Sequence, residues 1–315
     1  MESGHSLDVP IIQEENICLP LVISAVSKYW GVDLPLAEAK EIAKRYPGVK
    51  GTILIEGVEL AERHGLASII LNSSIKELRR FIDMGIPPIV ILPGLKDVVQ
   101  HASLVIGYDE TEKTIFHYIP EPDKIGAIPQ DTFDKQWEED DRLMILLVPP
   151  DILQEAKISS DNKTRSNRLC FDAEKLRLQG RADESVTMLK KALEINQSNS
   201  TASSLYAGIL NDRNQQEAVQ YYKKSIEHNK RCYLAYRGLG NFYLKAKDYE
   251  NAEKYYTMAI ELNPYRFVPI YKNRGIARME QNKTAQARED LAKYLEQMPE
   301  AKDRDAIIQA ISELH

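Results

Sequence analysis

Small residues recur through the second half of the chain about every 34 residues, and this period limits the fold more than any other feature. Ala218, Ala252 and Ala287 stand 34 and 35 residues apart. A second series advances by 33, 34 and 35 residues through Ala192, Ser225, Ala259 and Tyr294. Small residues allow two helices to cross closely, so the period predicts stacked helix pairs in which each unit packs on its neighbours.

The third repeat shows the pattern most completely. Its matching residues are Tyr236, Leu239, Gly240, Tyr243, Ala252, Tyr256, Ala259 and Pro264. Period and pattern together resemble tetratricopeptide repeats. We predict about four repeats, at residues 166–198, 199–232, 233–267 and 268–300. A capping helix is predicted at 301–315, where apolar residues have helical spacing at Ile307, Ile308, Ile311 and Leu314.

The first half of the chain changes from helical to strand patterns, which predicts an α+β domain. Apolar residues at helical spacing predict helices at 18–30, 36–45, 55–64 and 74–84. Short apolar or β-branched runs then predict antiparallel strands at 89–92, 102–107, 114–119 and 143–148. A polar segment follows Pro149 and Pro150. We therefore predict a domain at 1–150, a linker at 151–165 and an all-α repeat array after it.

Three polar side chains in the first half could form a thiol nucleophile site. Cys18 begins the first helical pattern, Gln13 precedes it by five residues, and His101 begins a strand pattern. A helix N-terminus lowers the pKa of a thiol, a histidine can accept the thiol proton, and an amide can donate to an oxyanion. These residue types predict nucleophilic chemistry. Taken alone, Cys18 would instead be a small buried apolar residue.

The order and spacing of these residues resemble papain-like cysteine peptidases, most closely the bacteriocin-processing, double-glycine leader peptidase family. The resemblance covers about residues 8 to 148 and rests on Gln13-x4-Cys18-x-Pro20, Tyr29-Trp30-Gly31, Gly51-Thr52, Pro87-Pro88-Ile-Val-Ile-Leu92 and His101-x5-Gly107-Tyr108-Asp109. It implies a papain-like fold with the active site between the nucleophile's helix and a sheet. It also implies that Cys18 attacks a carbonyl, that His101 transfers the proton, and that Gln13 contributes to the oxyanion hole.

One position departs from the family pattern. The family orients its histidine with an Asp or Asn that is usually followed by Pro, and the matching dipeptide here is Ile119-Pro120. Residues 117, 119 and 121 share one face of a strand, so His117 or Glu121 could take the place of the missing residue. Glu121 is the preferred candidate. An imidazole without such a partner has no fixed tautomer, which would slow or abolish catalysis.

Composition argues against several other classes of protein. Residues 1–150 carry 14 basic and 24 acidic residues, a net charge of −10, so nucleic-acid binding is not expected there. No apolar run approaches the roughly 20 residues that span a bilayer. The three cysteines Cys18, Cys170 and Cys232 fit neither a disulfide framework nor a zinc site. We expect a cytoplasmic protein with free thiols, without cofactor or metal.

The repeats present a second candidate site. Arg237, Asn241 and Asn273 fall where some repeat proteins hold the C-terminal carboxylate of a ligand. An arginine and two amides could bind a carboxylate through charge-assisted hydrogen bonds. The alternative is an ordinary polar concave surface.

Two functions from different classes are consistent with these observations. The first is an intracellular cysteine peptidase that uses a Cys–His dyad and whose repeats recruit a protein or peptide substrate. The second is a peptidase-like binding protein, weakly active or inactive, that acts as an interaction scaffold. Acyl transfer to an amine would use the same residues as hydrolysis and stays open.

Overall fold

A computed structural model divides the chain into two compact units. It describes residues 4–10, 18–46, 54–94, 98–119, 124–156, 158 and 160–314, without the side chains at positions 18, 43, 119 and 124. The sheet unit comprises Met1–Pro93 and Gln100–Ala202, and the repeat unit comprises Gly94–Val99 and Ser203–His315. The predicted order, an α+β domain followed by all-α repeats, is confirmed.

The described part of the sheet unit combines an antiparallel sheet with helices. Its strands are β1 (Gly4–Ser6), β2 (Ala67–Asn72), β3 (Ile89–Pro93), β4 (Gln100–Asp109), β5 (Thr114–Ile119), β6 (Lys124–Pro129) and β7 (Leu143–Val148). Its helices are α1 (Cys18–Tyr29), α2 (Leu36–Lys44), α3 (Leu54–Arg63), α4 (Ile75–Asp83), α5 (Gln130–Glu138), α6 (Pro150–Glu155), α7 (Asn162–Leu178) and α8 (Ala182–Ile195). Every helix and strand predicted for the first half is present, whereas β1, β2, β6 and α5 were not predicted.

The strands pair in the order β2-β7-β3-β4-β5-β6, and β1 also pairs with β4. The register of β4 against β5 shifts at a bulge between Val105 and Gly107. At Gly107 a Cβ atom would lie 2.4 Å from the backbone oxygen of His5. The close approach of β1 to β4 therefore requires glycine at this position.

Apolar side chains on the two faces of the sheet form two separate clusters. On one face α1 contributes Val22 and Val26, which are fully buried and belong to the same cluster as Ala102 and Leu104. On the other face the cluster includes Val90, Val105, Met144 and Leu146 of the sheet, with Phe133 and Trp137 of α5. Full burial of one such aliphatic or aromatic side chain stabilises the fold by about 1.5–3 kcal/mol. These clusters fix α1 against the strand that carries His101.

Helix α7 packs against α3 and covers the edge strand β2 within the sheet unit. Arg168 Nη1 lies 2.7 Å from Glu62 Oε1, and Lys175 Nζ lies 2.7 Å from Glu59 Oε2. The Asn167 amide donates to Asn72 Oδ1 at 2.9 Å beside this edge. Basic residues of α7 thus neutralise part of the acidic charge of the first half, and the helix protects an edge strand from pairing with other chains.

The repeat unit is a series of antiparallel helix pairs. Its helices are α9 (Ser200–Asp212, which begins in the sheet unit), α10 (Ala218–His228), α11 (Tyr233–Lys245), α12 (Tyr249–Leu262), α13 (Pro269–Met279), α14 (Thr284–Gln297) and α15 (Arg304–Glu313). A Cβ atom at Gly238 would lie 2.3 Å from the Tyr222 ring, and one at Gly240 would lie 2.5 Å from the Tyr256 ring. Small residues therefore allow close helix packing, as the 34-residue period predicts.

Candidate active site

Cys18 is the first residue of α1, so its backbone lies at the N-terminus of the helix. N–H groups in this first turn have no acceptor within the helix, and the positive end of the helix dipole favours a thiolate. The side chain of Cys18 lies outside the described part of the structure, as do Gln13 and Glu121 in full. The backbone position thus suits the predicted nucleophile. The roles predicted for the side chains of Cys18, Gln13 and Glu121 stay predictions.

His101 lies at the end of β4, where Leu92 of β3 is its cross-strand neighbour. Its Nδ1 atom is 2.9 Å from the backbone oxygen of Pro93. A carbonyl oxygen can only accept a hydrogen bond, so Nδ1 carries the proton. In the neutral ring the lone pair is then on Nε2, the nitrogen that could accept a proton from a thiol.

This bond to a main-chain oxygen gives His101 a defined tautomer. From sequence, Glu121 and His117 were the candidates for the orienting group. Residue identities reveal which side chains are present, but they do not reveal where main-chain carbonyls lie. The acceptor in the described structure is a main-chain carbonyl, placed there by the pairing of Pro93 with Gln100 at the end of the β3–β4 hairpin. Residue types do not predict such an acceptor, because every residue has a carbonyl. The short loop between β3 and β4 could have predicted that residue 93 lies near His101.

The position of His101 at the strand end restricts how it can reach Cys18. Side chains alternate along β4, so His101 shares a sheet face with Ser103 and Val105, whereas Ala102 and Leu104 face α1. His101 is only half-buried, while the next four residues of the strand are buried. The His101 side chain starts from the sheet face opposite to α1. A dyad therefore requires the Cys18 sulfur to lie beside the end of β4, where Nε2 can reach it past the strand terminus.

His117, on β5, lies on the same sheet face but has different surroundings. Its Nδ1 atom is 2.8 Å from Ser103 Oγ, and Ser103 donates its own proton to the backbone oxygen of Tyr118 at 2.5 Å. The Ser103 oxygen must then accept from His117, which assigns the proton to Nδ1 of this ring as well. Burial and, to a smaller extent, the charge of nearby His101 together lower the pKa of His117 to about 4. His117 is therefore neutral at pH 7.

The amide side chains predicted on the repeats meet at one tyrosine. The Tyr256 hydroxyl donates to Asn241 Oδ1 at 2.8 Å, and Asn273 donates to the same hydroxyl oxygen. Burial raises the pKa of Tyr256, so the phenol stays protonated and keeps this chain of hydrogen bonds. The structure thus brings Asn241 and Asn273 together, and it engages both with Tyr256.

Arg237, the third predicted residue, lies one helical turn before Asn241 on α11. Its guanidinium carbon is 4.6 Å from the centre of the Phe267 ring. Its Nε atom is buried and has no hydrogen-bond partner among the described residues. Burial lowers the pKa of Arg237 from its ordinary value, and a buried donor without an acceptor is costly. This N–H group is therefore a buried donor without an acceptor among the described residues.

No helix in the described ranges combines the length and hydrophobicity that crossing a bilayer requires. Within the same ranges, no group of three or more His, Cys, Asp or Glu residues is arranged to hold a metal ion.

Sequence comparison identifies the repeats. Two family models described as tetratricopeptide repeat match the chain, one at residues 239–312 and the other at 210–266. Residues 210–312 therefore carry tetratricopeptide repeats. No curated protein sequence matches the chain significantly.

Three of the solved structures that resemble this chain overlap a little under half of it. Pseudomonas aeruginosa pilF is 22% identical with a TM-score of 0.43, over 49% of this chain and 68% of that one. The peptidase domain of Streptococcus ComA, a bi-functional ABC transporter, is 24% identical with a TM-score of 0.36, over 46% of this chain and 98% of that one. A double glycine motif protease from an AMS/PCAT transporter is 17% identical with a TM-score of 0.37, over 46% and 94%.

Proposed function

We propose that the sheet unit is a cysteine peptidase domain and that the repeats recruit its protein or peptide substrate. The observation that carries this proposal is the hydrogen bond from His101 Nδ1 to the Pro93 carbonyl at 2.9 Å. It supplies what the sequence lacks at Ile119, a group that holds the imidazole in the tautomer a general base needs. The position of Cys18 at the N-terminus of α1 supports the same chemistry.

In the proposed reaction His101 Nε2 accepts the Cys18 proton, and the thiolate attacks the scissile carbonyl. The tetrahedral oxyanion receives hydrogen bonds from the Gln13 amide and the Cys18 backbone N–H. The intermediate collapses as the protonated His101 gives its proton to the leaving amine, which leaves a thioester. Water then attacks the thioester with His101 as base, and the acid product leaves. An amine in place of water would give acyl transfer.

The Pro93 carbonyl differs from a carboxylate in one respect. It accepts the Nδ1 proton and orients the ring, but it carries no full negative charge to stabilise the imidazolium. We therefore expect a slower enzyme than one with a carboxylate in this position.

For recruitment we propose that Arg237 binds a carboxylate of the partner. The buried Nε of Arg237 supports this, because a carboxylate would satisfy it through a charge-assisted hydrogen bond. Asn241 and Asn273, which are both hydrogen-bonded to the Tyr256 hydroxyl, would lie at the border of this site.

A library of peptides with free or amidated C-termini tests the proposed carboxylate site by fluorescence polarisation. We expect binders with a free terminus that lose at least about tenfold in affinity on amidation or in Arg237→Met. Binding unaffected by both changes would contradict it.

The test of the peptidase proposal is alkylation of Cys18 by iodoacetamide at pH 7. The chain is well suited to it, because Cys170 and Cys232 are 0% and 5% exposed and burial raises the pKa of Cys170. We expect labelling of the native protein that exceeds the rate of the urea-denatured protein and disappears in Cys18→Ala. His101→Asn, which keeps a donor toward Pro93 but has no base, should reduce the rate to that of an ordinary thiol. A native rate no higher than the denatured rate would contradict the proposal.

A second candidate function is a binding protein on the same scaffold. Ile119 in place of the orienting carboxylate favours it, together with the buried, unsatisfied donor of Arg237. On this hypothesis Cys18→Ala leaves peptide binding and cellular function intact. Loss of cellular function in that variant, with peptide binding retained, would favour the peptidase.

A further inference from the structure

A cavity of about 370 Å³ lies within the sheet unit, between the edge strand β2 and the helices α7 and α8. The apolar part of its lining consists of Ile69, Ile70, Leu169 and Ile195, and His101 is not among its lining residues. Small-molecule sites have volumes of about 300–1,000 Å³ and combine an apolar lining with a few polar groups. The cavity therefore has the size and the apolar surface that a small ligand requires.

The edge of β2 contributes backbone donors to this cavity. The Ser73 N–H donates to the Arg142 oxygen at 3.0 Å, at the end of the β2–β7 pairing. Because hydrogen bonding alternates along an antiparallel strand, Ser68 and Ile70 direct their N–H and C=O groups away from β7. The Asn167 amide of α7 donates to the Ile70 oxygen at 3.4 Å, in agreement with this direction. Both Ser68 and Ile70 line the cavity, and neither N–H has a backbone acceptor among the described residues.

Two exposed basic side chains of the lining have no acidic partner. These are Arg165 of α7 and Lys191 of α8. Neither forms a salt bridge with a described residue, and Arg165 donates only to the side-chain oxygen of Asn162. Arg168, the third basic residue of the lining, is by contrast paired with Glu62 at 2.7 Å. The cavity therefore carries positive charge that the described carboxylates do not neutralise.

We propose that this cavity binds a small carboxylic acid with an apolar chain, of the class of a medium-chain fatty acid. The edge N–H groups and the two basic side chains all favour an acceptor that carries negative charge. The apolar lining accommodates the chain, and removal of the chain from water favours binding. Arg165 and Lys191 would repel a cation, and a neutral alcohol cannot form charge-assisted hydrogen bonds as acceptor to the same degree. The inference is independent of the proposed peptidase activity, because it uses neither Cys18 nor His101.

The experiment measures the binding of octanoate to the full chain at pH 7 by isothermal titration calorimetry. Octylamine and octanol have the same alkyl chain, so differences among the three ligands report the head group. We expect octanoate to bind at least about tenfold more tightly than either of the others, as for one charge-assisted interaction. Absence of octanoate binding, or equal affinities for octanoate and octylamine, would overturn the proposal.

Variants of the basic residues test the origin of the preference. The double variant Arg165→Met, Lys191→Met should lower the octanoate affinity at least about tenfold and leave octanol binding unchanged. Lys190→Met is the matched control, because Lys190 is exposed on α8 directly beside Lys191 but does not line the cavity. It should leave the octanoate affinity unchanged. Equal losses in the double and control variants would mean that general surface charge binds the acid, which would overturn the proposal.

NMR of the backbone amides locates the ligand. We expect the Ser68 and Ile70 amide signals to shift when octanoate is added, and octanoate binding without these shifts would overturn the assignment to this cavity. Ile195→Trp, at the last residue of α8, fills the apolar part and should abolish both binding and shifts. If this variant does not fold by circular dichroism, Leu169→Phe decides by the same criteria. An acetylated peptide that ends in leucine is the last comparison. If the peptide shifts these signals and octanoate does not, the cavity binds a chain terminus and the proposal is wrong.

Discussion

His101 and His117 lie on two strands of one sheet and on the same face, and their surroundings give them different chemistry. Both rings carry their proton on Nδ1, His101 toward the Pro93 carbonyl and His117 toward the Ser103 hydroxyl. His101 is half-buried at the end of β4, whereas His117 is 5% exposed. Burial lowers the pKa of His117 to about 4.

The comparison shows that the hydrogen bond on Nδ1 orients a histidine but does not make it a base. A general base works best when its pKa is near the working pH and its second nitrogen can reach the reacting atom. His117 fails the first condition, because its pKa lies far below neutral pH. The half-buried position of His101 at a strand end is the feature that separates the two rings.

The largest expected effect comes from removing each ring in turn. In His101→Asn and His117→Asn, the amide nitrogen can replace Nδ1 as donor, and Nε2 is lost. We expect His101→Asn to lower Cys18-dependent hydrolysis by about 10²- to 10⁴-fold, the usual contribution of a general base. His117→Asn should stay within a few-fold of wild type. Single-turnover rates on one peptide substrate measure both, and equal losses in the two variants would contradict the assignment.

The second prediction concerns the stability of the sheet unit as a function of pH. The pKa of His117 is about 4 in the fold and 6.5 in a model compound, so the unfolded chain takes up the proton more readily. The His117 contribution to the free energy of unfolding is fully present above pH 6.5 and is lost as pH falls toward 4, by roughly 3 kcal/mol in total.

Urea unfolding at pH 7 and pH 4.5 measures this contribution. Trp30 and Trp137 are the two tryptophans of the chain and both belong to the sheet unit, so their fluorescence reports this unit. The loss of stability between the two pH values should be smaller in His117→Asn than in wild type, because other groups titrate equally in both. An unchanged loss would show that His117 is not the group responsible.

A smaller effect is expected for Ser103→Ala. This change removes the acceptor of the His117 Nδ1 proton and the donor to the Tyr118 carbonyl. A buried N–H group left without its acceptor costs about 1–3 kcal/mol, so urea unfolding at pH 7 should show a loss of that size. The alkylation rate of Cys18 should be unchanged. A large drop in that rate would mean that the two histidines are coupled through Ser103.

The smallest effect is expected for Pro93→Ala. The bond to His101 uses the carbonyl of residue 93, which alanine also has, so the tautomer should be retained. Alanine makes the unfolded chain more flexible, which costs about 0.4–1 kcal/mol. Nitrogen NMR of His101 checks the tautomer. A mixture of tautomers in this variant would show that the proline ring, and not the carbonyl alone, holds the site together.

The sequence predicted the regular parts of the molecule well because their signals are periodic. The spacing of Ala218, Ala252 and Ala287 reflects a contact that recurs in every helix pair, so each repeat adds to the same signal. The strands at 89–92, 102–107, 114–119 and 143–148 were found because they are short apolar or β-branched runs. β6 was missed because Gly126 and Pro129 interrupt its pattern, and β1 is only three residues long.

The parts of the site that sequence did not predict depend on backbone atoms and on tertiary contacts. The acceptor for His101 is a carbonyl, which every residue has, so only the strand register identifies it as Pro93. By contrast, Asn241 of the third repeat and Asn273 of the fourth were singled out from sequence because they fall where some repeat proteins hold a carboxylate.

A crystal structure with Cys18 alkylated by iodoacetamide tests the central claim most directly. The measured quantity is the distance from Cys18 Sγ to His101 Nε2. We predict that the two atoms lie within about 4 Å beside the end of β4, with Nδ1 still bonded to the Pro93 carbonyl, as a nucleophile and its base require. A sulfur separated from Nε2 by the strand, or packed within the α1 cluster away from His101, would contradict the account.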